Sequence, residues 1–224
     1  MRYLALATDY DGTLAKDGYV NQKTVAALER LRQSGRKLIL VTGRELDDLL
    51  RVFPEINFFD LVVAENGALL YNPATLEEKL LGAKPPEEFI QMLRDRHIHP
   101  LSVGRAIVAT MHPHETTVTE AIRDLGLQLQ VILNKDAVMI LPSGVDKASG
   151  LSAALSELEI SPRNTLAIGD AENDYAFLNL CGCTVAVANA LPMLKERADF
   201  VTLGARGDGV IEIIDRLVAD DFHS

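Results

Sequence analysis

The chain has 224 residues, 48% of them hydrophobic and 24% charged, with a formal net charge of −10. That length allows one large domain, or a domain carrying a modest second module, and a negative field of this size repels nucleic acid and anionic membrane surfaces, excluding both as expected partners. No apolar run reaches the roughly 20 residues of a membrane span, and Met1–Ala7 is too short for a signal peptide ahead of the charged Asp9, so a cytoplasmic protein is expected.

Leu4 to Thr8 reads as a first strand. A helix follows from Gln22 to about Ser34, with Asn21 as its cap and Gly35 as its stop. Lys37 to Val41 is a second strand, then comes a short helix ended at Phe53 by Pro54, and Asp60 to Ala64 is a third strand. This βαβαβ order predicts a parallel sheet with helices on both faces. Ala68 to Tyr71 reads as a further strand before an Asn72-Pro73 turn.

The pattern then changes. Pro85-Pro86 opens a helix to about Arg96, and a hairpin turns at Gly104-Arg105 into Ala106 to Met111. His112 to Gly126 carries a second helix, and Leu127 to Leu133 pairs with Ala137 to Leu141 across Asn134-Lys135-Asp136. The expected arrangement is an α/β core from residues 1–84 and 145–224 with a small α+β unit, αββαββ, inserted at 85–144. The core resumes with a helix from Lys147, strands at Thr165 to Ile168, Thr184 to Val187 and Phe200 to Thr202, and a last helix from Val210 to Val218. Cys181 and Cys183, two residues apart, read as small core residues, and His112 and His114 as an exposed helix entry.

Four segments carry chemistry. Asp9-Tyr10-Asp11-Gly12-Thr13 follows the first strand, at the sheet edge where α/β folds bind ligands. Residues i and i+2 of an extended segment point the same way, so Asp9 and Asp11 can face one ligand. Thr42-Gly43-Arg44 ends the second strand and offers a hydroxyl, an open N–H and a guanidinium. Lys147 opens a helix and can neutralise phosphate charge. Gly169-Asp170-Ala171-Glu172-Asn173-Asp174 ends a later strand with oxygen ligands suited to a hard cation such as Mg²⁺.

In that order the segments resemble the haloacid dehalogenase superfamily of phosphatases, in the branch whose cap is inserted between the second and third motifs. Asp9 to Thr13 is similar to the first motif, Thr42 to the second, Lys147 to the third, and Asp170 with Asn173-Asp174 to the fourth. Glu65-Asn66-Gly67-Ala68 and Asp208-Gly209-Val210 also resemble that branch, while Ala148 departs from the glycine that often follows the lysine. The resemblance implies a Rossmann-like core with a short cap, and Mg²⁺-dependent hydrolysis of a small phosphorylated metabolite such as phosphoglycolate or a sugar phosphate. It implies Asp9 as nucleophile, Asp11 as general acid and base, and metal ligation by Asp9, the Asp11 carbonyl and Asp170, with Asp174 a further candidate, directly or through water, or, with Asn173, a support for the site. Thr42, Gly43, Lys147 and Asn173 are the implied phosphate-binding set. Arg44, Asn66, Arg105 and Lys135 are candidate contacts for the rest of the substrate, each weighed against a structural role as ion pair or turn residue. Two other readings stay open from sequence: a receiver-like phosphotransfer module, and a non-catalytic phosphate-binding protein on the same fold.

Overall fold

A computed structural model of the chain describes residues 1–222. The first third runs β1 (Ala5–Asp9), α1 (Gln22–Gln33), β2 (Lys37–Val41), α2 (Leu46–Val52), β3 (Leu61–Ala64), β4 (Leu69–Asn72) and β5 (Glu77–Leu80). An inserted unit follows as α3 (Glu87–Asp95), β6 (Ser102–Val103), β7 (Val108–Met111), α4 (Glu115–Asp124), β8 (Leu129–Asn134) and β9 (Ala137–Pro142). The chain closes with α5 (Lys147–Glu157), β10 (Thr165–Gly169), α6 (Tyr175–Leu180), β11 (Cys183–Ala186), α7 (Pro192–Lys195), β12 (Phe200–Val201) and α8 (Gly207–Asp220).

The larger sheet has eight strands in the order β12-β11-β10-β1-β2-β3-β4-β5. Its six strands from β12 to β3 are parallel, and β4 and β5 continue it as an antiparallel edge. The central strands are buried along their whole length, as a sheet covered on both faces requires. Helix α1 shows how the covering forms: the Asn21 side chain accepts the Thr24 N–H at 2.9 Å, and Thr24, Val25, Ala27, Leu28 and Leu31 fall on one buried stripe. Helix α8 is buried through Val210, Ile213, Ile214 and Leu217 and packs against α1.

Strand β5 was not expected from the sequence. Glu77, Glu78, Lys79 and Leu80 are all exposed, so no apolar alternation marks the strand, and its antiparallel ladder to β4 defines it. Helix α7 also went unread, being only four residues long.

The second sheet, ordered β6-β7-β9-β8, is antiparallel throughout. Strand alternation divides its side chains between two faces. Val108 and Ile140 pack with Phe89, Ile90, Leu93, Val118 and Ala121 from α3 and α4. Met139 and Leu141 turn the other way and join Ala106, Ile107, Ala68 and Val145 in a small apolar cluster against the larger sheet.

The far end of the molecule is fastened by Asp221. Its carboxylate accepts from the N–H groups of Arg2 and Tyr3 and pairs with the Arg36 guanidinium at 2.8 Å, while Phe222 packs edge-on against Tyr3 and Phe200. Burial alone would raise the Asp221 carboxyl, but Arg36 and the two N–H groups outweigh it and hold it at about 2. A depressed folded pKa means stability that is complete above the unfolded value of 3.8 and is lost as pH falls through about 2. Asp221→Asn is therefore expected to cost roughly 1–2 kcal/mol at neutral pH. In denaturant titrations the gap from wild type should close between about pH 4 and pH 2; a gap that stayed constant over that range would show that the carboxylate charge does not matter.

Candidate active site

Strands β1, β2 and β10 end side by side and bring Asp9, Thr42-Gly43-Arg44 and Asp170 to one edge. Lys147 arrives as the first residue of α5. Asp146 caps that helix by accepting the Ser149 N–H at 2.8 Å, while its own N–H donates to Ser149 Oγ at 3.0 Å. A cation at a helix N-terminus works against the helix dipole, so helix stability does not account for Lys147. Its side chain is 1% exposed and donates to Asp9 Oδ1 at 2.6 Å and Asp174 Oδ1 at 2.7 Å. Burial alone would lower the lysine, but Asp174 and Asp9 outweigh it and keep it charged, with its pKa raised.

Asp9, Asp170 and Asp174 offer oxygens that lie within 4.8 Å of one another. Burial raises the Asp9 carboxyl well above its ordinary range, with Asp174 and Asp170 adding to the shift and Lys147 opposing it. Burial and Asp174 likewise raise Asp170. Two of these carboxylates pair with the buried Lys147 and the third, Asp170, with the half-exposed Lys135, and the remaining negative charge on oxygen donors fits a hard divalent cation. The fit is best at Asp9 and Asp170. Both Asp174 oxygens are already engaged, Oδ1 by Lys147 and Oδ2 by the N–H groups of Asp170 at 2.8 Å and Ala171 at 2.9 Å. Asp174 therefore holds the lysine and the 170–171 backbone in place. Gly12, at φ +90°, makes room for the group: a Cβ there would lie 2.4 Å from Asp170 Oδ2.

Asp11 is not one of the three clustered carboxylates. Arg44 grips it with both ends, Nε to Oδ2 and Nη2 to Oδ1, each at 2.7 Å, and also pairs with Asp48. These ion pairs lie within the core and not across the interface between core and inserted unit, where a salt bridge was weighed for Arg44. Arg105 is likewise turned elsewhere than expected for a substrate contact. Its guanidinium meets Asp47 at 2.6 and 2.9 Å and Glu78 at 3.0 and 3.2 Å, because these acids on α2 and β5 lie directly beneath its turn. Lys135 does reach the cluster, with Nζ 3.4 Å from Asp170 Oδ2 and a half-exposed side chain. Thr42 is buried and its hydroxyl accepts the Arg44 N–H at 3.1 Å.

A pocket of about 150 Å³ opens beside these groups, lined by Asp9, Asp11, Gly43, Arg44, Lys147 and Asn173 and roofed by Asn134, Ala137 and Met139 of the second sheet. Asn173 Nδ2 donates to Asn66 Oδ1 at 3.0 Å, which leaves Asn66 Nδ2 and Asn173 Oδ1 buried without partners. The amide pair thus holds a donor and an acceptor in reserve beside the Gly43 backbone. Sequence reasoning missed the roof residues and Thr13, whose hydroxyl donates to Asp170 Oδ1 at 3.1 Å. The alternation of β9 could have pointed to Ala137 and Met139, which share a face. A larger cleft of about 620 Å³ lies on the other side of Arg44, between α2 and the β6–β7 hairpin. The carboxylate cluster borders only the smaller pocket.

The family model of haloacid dehalogenase-like hydrolases matches residues 6–126 and 130–214. The chain is 34% identical over 222 residues to a phosphoglycolate phosphatase of Methanothermobacter thermautotrophicus, covering 96% of this chain and 98% of the relative. It is 30% identical over 224 residues to phosphoglycolate phosphatase 2 of Saccharolobus solfataricus, covering 98% and 94%. In fold it is similar to a haloacid dehalogenase-like hydrolase from Bacteroides thetaiotaomicron, with a TM-score of 0.83 at 22% identity over 96% of this chain and 99% of that one. With a buried lysine between Asp9 at the end of β1 and Asp174 ahead of α6, and a match along nearly its whole length, the chain belongs to the haloacid dehalogenase-like hydrolases.

Proposed function

We propose that this hydrolase is a Mg²⁺-dependent phosphatase acting on a small phosphate monoester, with phosphoglycolate the favoured substrate, through an aspartyl-phosphate on Asp9. The observation that carries the reading is the buried Lys147–Asp9 pair opening on a 150 Å³ pocket. The pocket is well below the roughly 300–1,000 Å³ typical of drug-sized ligands, which favours a two- or three-carbon ester over a hexose phosphate. The curated relatives named as phosphoglycolate phosphatases support the same choice.

In this reading Asp9 attacks phosphorus, and Lys147, the Gly43 N–H, Thr42 and Asn173 hold the equatorial oxygens, where charge collects in the transition state. Asp11 protonates the leaving oxygen and then takes a proton from the attacking water. Both its oxygens are engaged by Arg44, so that pair has to open on at least one side before Asp11 reaches the leaving group. Mg²⁺ would be held by the carboxylates of Asp9 and Asp170 and the Asp11 carbonyl, and when bound it supplies Lewis-acid stabilisation of the phosphoryl group. Residues 85–144 act as a cap over the core of residues 1–84 and 145–224, with Asn134 and Met139 facing the leaving group and Lys135 reaching Asp170.

Phosphate release should be assayed across esters of two to six carbons. Hydrolysis is expected to fall to background in excess chelator and to return with Mg²⁺ but not with Ca²⁺, which recruits more oxygen ligands at longer distances. Mg²⁺ at about 100 times its Kd should also stabilise the fold by about 2.7 kcal/mol, seen as a higher Tm. Undiminished turnover in chelator would overturn the metal assignment. A clear preference for hexose phosphates would overturn the substrate.

A further inference from the structure

Glu65 is wholly buried, carries a carboxylate, and takes no part in the chemistry proposed above. Its Oε1 accepts the N–H of Arg105 at 2.8 Å, and its Oε2 those of Ala106 at 2.7 Å and Ile107 at 3.0 Å. Consecutive N–H groups converging on one anion form a nest, here built by the cap and filled by the core. The approach depends on Gly104, where a Cβ would lie 2.7 Å from Glu65 Oε1. On the core side, Glu65 and Asn66 both adopt left-handed backbone, with φ of 52° and 53°. That conformation is unfavourable for residues with side chains and persists where the surroundings enforce it. Here the Glu65 N–H donates to the Arg44 carbonyl and the Asn66 N–H to the Thr42 carbonyl, each at 2.9 Å. One turn therefore joins the Thr42–Arg44 loop to the cap.

Polar fastening between cap and core is concentrated on this side. Arg105 pairs with Asp47 and Glu78, and Ser102 donates to Glu45. The β8–β9 turn reaches the core through the longer Lys135–Asp170 pair. The ladder then carries the anchored position to the pocket, since Ala109 pairs with Met139 and Met111 with Ala137, and both Ala137 and Met139 roof the site.

We infer that Glu65 is a positioning residue: it pins the Gly104–Ile107 turn as the fixed pivot of the cap, and so sets Ala137 and Met139 in register over Asp9. The kinetic side of this inference rests on the phosphatase reading, and the pinning itself does not. The test compares wild type with Glu65→Gln and with Gly104→Ala, which crowds the carboxylate while leaving Glu65 in place should the first variant fail to fold. In amide hydrogen exchange, residues 105–107 of the wild type should exchange slowly, both alone and with Mg²⁺ and inorganic phosphate, and about 100-fold faster in either variant. For the metabolite ester that wild type prefers, kcat/KM should fall about 10- to 100-fold. For a small aryl phosphate, which needs little from the cap, kcat and KM should each stay within about twofold. Equal losses on both substrates would reduce Glu65 to a support for the core fold. Amides 105–107 exchanging as fast in wild type as in the variants would remove the pivot altogether. If wild type hydrolyses no ester, the phosphatase reading fails, and the exchange measurement still decides whether the turn is pinned.

Discussion

Asp9→Asn is expected to lose turnover by at least about 10⁴-fold, the scale seen when a nucleophile is removed from a covalent mechanism. The amide has the shape of the carboxylate but does not attack phosphorus. The same change removes one negative charge from a cluster in which burial, Asp174 and Asp170 already make the Asp9 charge costly. Lys147 keeps Asp174 as its partner at 2.7 Å. Activity and stability should therefore separate: the variant should be inert yet melt no lower than wild type. Rapid quenching of wild type during turnover, followed by intact-mass measurement, should reveal a phosphorylated protein that Asp9→Asn never forms. A variant that kept near-normal kcat would rule out the aspartyl-phosphate.

Lys147→Met should do the opposite to stability. It deletes the buried ammonium from between Asp9 and Asp174 and leaves carboxylates with no buried counter-charge. Breaking a buried pair by removing one partner typically costs about 3–5 kcal/mol, and the phosphoryl oxygens lose their cation as well. The deficit should depend on pH with a definite sign. Buried carboxyls whose folded pKa lies above the unfolded value destabilise the fold once they ionise, so the variant should recover toward wild type on acidification and fall away as pH rises. Mg²⁺ should restore part of the loss by supplying charge at Asp9 and Asp170. Chemical denaturation across pH, with and without Mg²⁺, measures both effects. A variant as stable as wild type at neutral pH in chelator would mean that the cluster is far better solvated than its burial implies.

The sequence was most informative where a local pattern fixed the outcome. Asp9, Lys147 and Asp170 each stand at a strand end or helix start, so their meeting follows from the βα order of the core. The inserted unit was readable because Pro85-Pro86, Gly104-Arg105 and Asn134-Lys135-Asp136 punctuate alternating apolar runs. Pairing among charges was not readable, because it depends on which side chains meet after folding. Arg44 could have served substrate or structure, and it is the approach of α2 that supplies Asp48 and completes its grip on Asp11. Arg105 found Asp47 and Glu78, the second on a strand the sequence did not show. For Asp174 the sequence left a metal contact and a supporting role both open, because it does not show that the N–H groups of residues 170 and 171 engage the oxygen Lys147 leaves free.

That unseen strand, β5, is the outermost of the larger sheet on its side. An edge strand presents unpaired N–H and C=O groups to any extended segment that drifts past, including the same strand of another copy, and flat apolar edges seed aggregation in this way. Glu77, Glu78 and Lys79 set charges along the edge, and Arg105 anchors Glu78 on it. The acidic composition that hid β5 from the apolar pattern is thus its protection: a second molecule adding in register would have to bring like charges alongside these, and the sheet ends at eight strands.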